Sequence, residues 1–236
     1  MKKLFLLLAV LATASCQTQQ NGASDALSFG LLGDVKEVYV TQTVLSTTED
    51  AVELTGEPGV ERLEFTYDAD GRITLDTYGN VYEYDADGNF VKGTCDSTTL
   101  ERDEQGRLMT YDNTQMPWDE MADIEIDHFF MYEFGYDAQN RVDREQIGGW
   151  EWNDTYCYTY DGKKVYPASA TFESISEGWC EEGTIQFEYT ALDDKGNWTE
   201  RIQTITLTGY EEGDEDNATT KTEVIKQNRR FVYWSE

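Results

Sequence analysis

The sequence predicts an all-β fold: an antiparallel meander of hairpins, strongly twisted and either curled on itself or folded into two layers. Three observations carry this. Aromatic residues alternate with polar ones, as in Phe65-Thr66-Tyr67 and Tyr82-Glu83-Tyr84, which sends the rings to one sheet face. Such runs lead again and again into an Asp-x-x-Gly or Asp-x-x-Asn turn. No stretch has a convincing amphipathic helical period; Met116 to Ile126, with Pro117 near its start, is the one candidate for a turn or two of helix. A flat sheet of this size would leave a wet apolar face, so it must curl or double over.

The chain opens Met1-Lys2-Lys3, runs apolar from Leu4 to Leu11, and passes through small residues to Cys16. A basic start, a short apolar stretch and small residues describe a secretory signal peptide over residues 1–15. The apolar run falls well short of the ~20 residues of a membrane span. Ala14-Ser15-Cys16 resembles the lipobox of bacterial lipoproteins, with Thr13 where that motif usually has Leu. The resemblance implies lipidation of Cys16 and attachment to the membrane, on the periplasmic face or at the outer membrane. Polar Gln17 to Gly22 then predicts a flexible tether over 16–27, and the folded domain runs over 28–236.

Within the domain, Val38 and Val40 face one way and Glu37, Tyr39 and Thr41 the other, which makes a first strand. Pro58-Gly59 ends a polar loop. The turns follow at Asp68-x-x-Gly71, Asp85-x-x-Gly88, Asp103-x-x-Gly106, Asp137-x-x-Asn140 and Asp193-x-x-Gly196, with a shortened version at Asp161-Gly162. In each, the Asp carboxylate suits capping of backbone N–H groups just ahead of it, and Gly or Asn suits the left-handed position. A type I turn closed by a left-handed residue is a favoured hairpin loop. Strands are expected at Thr155–Tyr160, at Val165–Ser176 and Thr184–Thr190 about Glu177-Gly178, at Trp198–Tyr210, and at Lys221–Trp234. The acidic run Glu211 to Asn217 reads as a solvated loop.

Tyr67-Asp68-Ala69-Asp70-Gly71-Arg72 and Tyr84-Asp85-Ala86-Asp87-Gly88-Asn89 resemble the YD repeats of Rhs-type proteins. Glu101 to Leu108 and Tyr136 to Val142 are looser copies. The layout from residue 29 to 207 is similar to that of small YD-repeat lipoproteins of the Bacteroidetes. The resemblance implies the hairpin fold and transfers no catalytic residue. Large Rhs proteins wrap such hairpins into a shell around cargo; this chain has too few repeats to close one.

Composition narrows the function. Among 236 residues, 47 acidic side chains face 18 basic ones, for a net charge of −29. Aromatics make up 13%, too many for a disordered acidic chain. No basic patch exists to displace phosphate counterions, which excludes nucleic acid as a partner. Trp118, Trp150 and Trp152, with Glu151 and Asp154, form the expected ligand contacts, since indoles stack on sugar rings and carboxylates bind hydroxyls. The structural alternative is that these rings simply pack the sheet. The sequence therefore predicts a non-catalytic envelope protein that binds a glycan. A scaffold partner in an envelope protein complex is the alternative, and a glycoside hydrolase a distant third. A hydrolase needs two carboxylates about 5 to 10 Å apart, which so acidic a chain supplies by chance. No cofactor is implied. The Asp-rich turns lack the distant Glu of a calcium loop, and His128 is the lone histidine, so no zinc site follows. Of Cys95, Cys157 and Cys180, either Cys157 pairs with Cys180 or all three are thiols. Asp96-Ser97-Thr98 resembles the O-glycosylation acceptor of the Bacteroidetes.

Overall fold

A computed structural model describes residues 24–48, 58–76, 79–95, 97–114, 131–149 and 152–234. Cys16, Asp96, Trp118, His128, Trp150, Glu151 and the Met116–Ile126 stretch lie outside the described residues.

Among the described residues, a four-residue helix, α1 (Asp25–Ser28), precedes fourteen strands. These are β1 (Val35–Thr47), β2 (Arg62–Tyr67), β3 (Ile73–Leu75), β4 (Glu83–Tyr84), β5 (Phe90–Lys92), β6 (Thr99–Arg102) and β7 (Leu108–Asp112). They continue with β8 (Met131–Tyr136), β9 (Val142–Gly148), β10 (Trp152–Tyr160), β11 (Pro167–Ser176), β12 (Trp179–Leu192), β13 (Trp198–Glu211) and β14 (Thr219–Tyr233). Twelve of them form one antiparallel sheet in the order β3-β2-β1-β14-β13-β12-β11-β10-β9-β8-β7-β6, and β4 and β5 pair apart from it. The meander runs from β6 to β14, then returns to β1.

The turns explain the meander. Asp68 Oδ1 accepts from the N–H of Asp70 at 2.9 Å and of Arg72 at 3.0 Å, and Gly71 has φ 77°. Asp85, Asp103, Asp137 and Asp193 accept from the same two positions ahead of them. Gly88, Gly106, Asn140 and Gly196 also have positive φ. The register slips by one residue beside each turn, the mark of a bulged hairpin loop. The turn between β11 and β12 is different. Glu177 and Gly178 both have positive φ, which gives a two-residue turn matched to the sheet's twist.

The sheet curls. Val35 and Val38 of β1, Tyr67 of β2 and Ile73 of β3 share one buried cluster with Leu108 and Tyr111 of β7, Tyr132 and Phe134 of β8, and Val142 and Ile147 of β9. Those two groups of strands lie at opposite ends of the strand order, so a common core requires the sheet to bend round onto itself. It stops short of a closed barrel, because β3 and β6 remain edges with no ladder between them.

Side chains bridge that seam. Asp25, 1% exposed, accepts from the Ile73 N–H of β3 at 3.0 Å and takes both terminal nitrogens of Arg102 of β6, at 2.7 and 3.0 Å. Elsewhere along the seam, Asp76 accepts from Asn80 and from the Tyr82 hydroxyl at 2.9 Å. Asn80 in turn accepts from Thr94 and from Asn113, and Thr94 meets the Tyr111 hydroxyl at 3.0 Å. The hairpin β4–β5 thus fills the gap between the edges, with Leu75 and Val81 as a single bridge.

Two expectations need correction. Residues 24–27 are not tether: Ser24 caps α1, the Ala26 N–H donates to Gly71, and Asp25 and Ala26 are buried. Cys157 and Cys180 do not pair; both are free thiols. Cys157 lies opposite Thr171 of β11, whereas Cys180 lies opposite Ile175 on that strand's other side. Two strands apart is about 9–10 Å, already beyond the roughly 7 Å a disulfide spans.

Candidate ligand cavity

The concave side of the curled sheet holds a cavity of about 260 Å³. Its wall is aromatic, with Phe29, Phe65, Tyr158, Tyr160, Tyr166 and Trp198, and is studded with Arg62, Glu64, Asp76, Glu145, Arg201 and Arg229. The segment Ser28–Leu31 that follows from α1 and the stretch Val165–Pro167 complete it.

Bulges aim several of these side chains inward. Between β1 and β2 the register passes from Val38–Phe65 to Tyr39–Leu63, so Glu64 is an extra, unpaired residue. Simple alternation would put Glu64 opposite in facing to Phe65 and Tyr67; the bulge turns it into the cavity. Between β12 and β13 the register passes from Ala191–Glu200 to Leu192–Trp198, leaving Thr199 over. Trp198 and Arg201, three residues apart, therefore both face inward.

The charges are arranged around one indole. Trp198 is 2% exposed, and the guanidinium carbons of Arg229 and Arg201 lie 4.1 and 4.3 Å from its ring centre. Arg229 makes a two-pronged pair with Glu64, Nε to Oε2 at 2.7 Å and Nη2 to Oε1 at 2.6 Å. Arg201 donates through Nε to Gln227 Oε1 at 2.6 Å and lies over Phe187 at 4.9 Å. Burial pushes its guanidinium down from the usual range, and the like charge of Arg229 adds to this.

On the opposite wall the Tyr158 hydroxyl donates to Glu145 at 2.9 Å. Burial pushes the Glu145 carboxyl up; the Tyr158 bond opposes this, while the charges of Glu64 and Asp76 reinforce it. Burial likewise raises Tyr158, Tyr160 and Tyr166, the last to about 12, so all three hydroxyls are neutral near pH 7. The wall offers ring faces for stacking, neutral hydroxyls and fixed charges. That is the equipment to orient a small polar ligand.

Of the residues expected to bind a ligand, Trp152 packs half-buried against the hydrophobic core rather than standing free. Asp154, two positions on in β10, is half-buried; burial raises its carboxyl and a hydrogen bond with Ser174 lowers it. Neither lines the cavity. Among the described residues, no group of three or more His, Cys, Asp and Glu side chains is placed to hold a metal ion.

Sequence reasoning missed the cavity residues. Arg229 carried a signal, since it shares parity with the inward Phe231 and Tyr233 and so puts a cation on an aromatic face. Glu64 and the Trp198–Arg201 pair carried none, because bulges break the parity that would reveal them. Comparison with protein-family models, with curated proteins and with solved structures gives no match.

Proposed function

We propose that this chain is an exported, lipid-anchored binding protein of the bacterial cell envelope, built on YD-type hairpins, that takes a small glycan into the cavity of its curled sheet. One observation carries the reading: an aromatic-walled cavity into which two β-bulges turn charged side chains. Its volume is near the low end of small-molecule pockets, which suits a sugar unit or two rather than a long chain. Binding fits better than hydrolysis. Glu64 has both oxygens committed to the Arg229 fork, so it is not free to attack or to hold a water, and Glu145 already gives one oxygen to Tyr158. The membrane is reached through the lipid on Cys16, and no cofactor is required.

The test is a thermal-shift screen of the full chain, purified in detergent, against mono- and oligosaccharides. A ligand at one hundred times its dissociation constant adds about 2.7 kcal/mol. For a chain of this length that raises the midpoint by roughly 5 to 10 °C. A hit that weakens at least tenfold in Trp198→Phe supports the cavity as the site. A flat panel, with salt-sensitive co-purification of a basic envelope protein, would replace this reading with that of a scaffold.

A further inference from the structure

Building on the glycan reading, we propose that the cavity selects a sugar carrying a carboxylate, a uronate, with Arg201 as the group that receives it. Arg201 lines the cavity, yet among the described residues no carboxylate lies within ion-pair distance of it. Its neighbours are the Gln227 amide oxygen, the hydroxyl of Tyr189 and the faces of Trp198 and Phe187. Glu64, whose charge attracts Arg201, has both oxygens committed to Arg229. A half-buried guanidinium with no carboxylate on its nitrogens has given up hydration without a two-pronged partner in return. In a chain of net charge −29, with 47 carboxylates to draw on, that vacancy is conspicuous. An incoming carboxylate meets the planar donor fork in two-pronged geometry, as Glu64 already meets Arg229. The sugar ring then meets the aromatic wall, with Tyr158 and Tyr166 among its lining rings.

One negative charge fits better than two. Glu64, Glu145 and Asp76 share the wall, and a doubly charged phosphate would face more of their repulsion than a carboxylate does. A carboxylate matches the single charge of Arg201.

The experiment is titration calorimetry of the full chain in detergent with four probes: galacturonate against galactose, and glucuronate against glucose. At least one uronate is expected to bind ten times or more tightly than its neutral parent, and to weaken with added salt while the parent does not. In Arg201→Met, which keeps the side-chain bulk, that preference should fall at least tenfold. Arg230→Gln, which removes an exposed cation paired with Glu61 away from the cavity, should leave the preference intact. Thermal midpoints of both variants establish that they fold; loss of an unmatched charge leaves Arg201→Met at or near the parent's stability. Sugars that bind with no preference for the acid overturn this inference and leave the glycan reading standing. So does a preference that survives Arg201→Met, or tighter binding of galactose 6-phosphate than of galacturonate. No binding of any probe overturns both.

Discussion

At the residue scale, Asp68, Asp103 and Asp137, each with Gly or Asn three residues on and Arg four residues on, describe a latch between neighbouring hairpins. The Asp binds backbone at its own turn and, through Oδ2, the Nε of the Arg four residues on; that distance is 2.7 Å for Arg72, Arg107 and Arg141 alike. Each of these guanidiniums then lies over the Tyr that opens the next turn: Tyr84 at 5.0 Å, Tyr136 at 4.5 Å and Tyr160 at 3.9 Å. Arg107 also donates to Asn140, and Arg141 to the carbonyls of Gly162 and Lys164, so each Arg reaches into the following turn. The Tyr136 and Tyr160 hydroxyls return the contact by donating to Leu108 and Val142, the residues just after those arginines. Asp85 and Asp193 are exceptions, with Asn89 and Asn197 in the Arg position; Asp193 takes the Tyr233 hydroxyl instead, and Asp85 has only local bonds. Asp137→Ala should therefore cost about 1–2 kcal/mol, lowering the midpoint by roughly 2 to 8 °C. Asp85→Ala should cost less. Equal losses, measured by thermal denaturation at pH 7, would refute the latch. The pH dependence follows. Burial pushes the Asp137 carboxyl up, but the side-chain and backbone bonds from Arg141 and Gln139 outweigh it and hold the group below its ordinary 3.8. Its contribution is thus present above 3.8 and lost as pH falls through the lowered folded value. The difference in midpoint between parent and Asp137→Ala should shrink as the pH is brought well below 3.8.

At the scale of elements, the sheet ends in two short edges, three residues in β3 and four in β6, and α1 sits where they approach. Asp25 is the only described side chain that accepts from both edges, and it is buried while doing so. Taking away one partner of a buried pair costs about 3–5 kcal/mol, because the other charge is left without compensation. Asp25→Ala is expected to lower the midpoint by roughly 10 °C or more and to speed amide hydrogen exchange first in β3, β6 and the β4–β5 hairpin. The double change Asp25→Leu with Arg102→Met should recover part of the loss. Uniform exchange across the sheet in Asp25→Ala would mean that the seam is no separate unit. This element also marks the limit of what the sequence makes legible. Asp, Gly and alternation act over a few residues, so the hairpins at 68–71, 85–88, 103–106, 137–140 and 193–196 can be read locally. A four-residue helix has no period to detect, and Ser24-Asp25-Ala26 looks like more tether. Its role depends on Gly71 and Arg102, which lie 47 and 77 residues away. The departure of β4–β5 from the main sheet is equally nonlocal, fixed by the buried Asp76–Asn80–Thr94 network.

At the scale of the whole molecule, curling a sheet of twelve strands sets its aromatic faces against each other, and the space they fail to fill becomes the cavity. Its chemistry comes from β2, β9, β13 and β14, brought together only by closure. Glu145 of β9 reports on that space. Its carboxyl faces the Tyr158 hydroxyl and the like charges of Glu64 and Asp76, and burial is the main reason it is held above its ordinary 4.5. A carboxyl raised on folding favours the folded state while it is protonated. That stability is full below 4.5 and is lost as pH rises through the higher folded value. Above that folded value the ionised group is a strain that closure of the sheet must overcome. Glu145→Gln keeps an oxygen for Tyr158 and removes the charge, so it should raise the midpoint by a few degrees at pH 7 and make no difference below 4.5. Thermal denaturation of both proteins from pH 4 to pH 8 decides it. Curves that separate with rising pH place Glu145 in a dry, closed interior. Curves that stay parallel, or a Gln variant that melts lower at pH 7, would mean that Glu145 meets water or a cation, and that the concave side stands open.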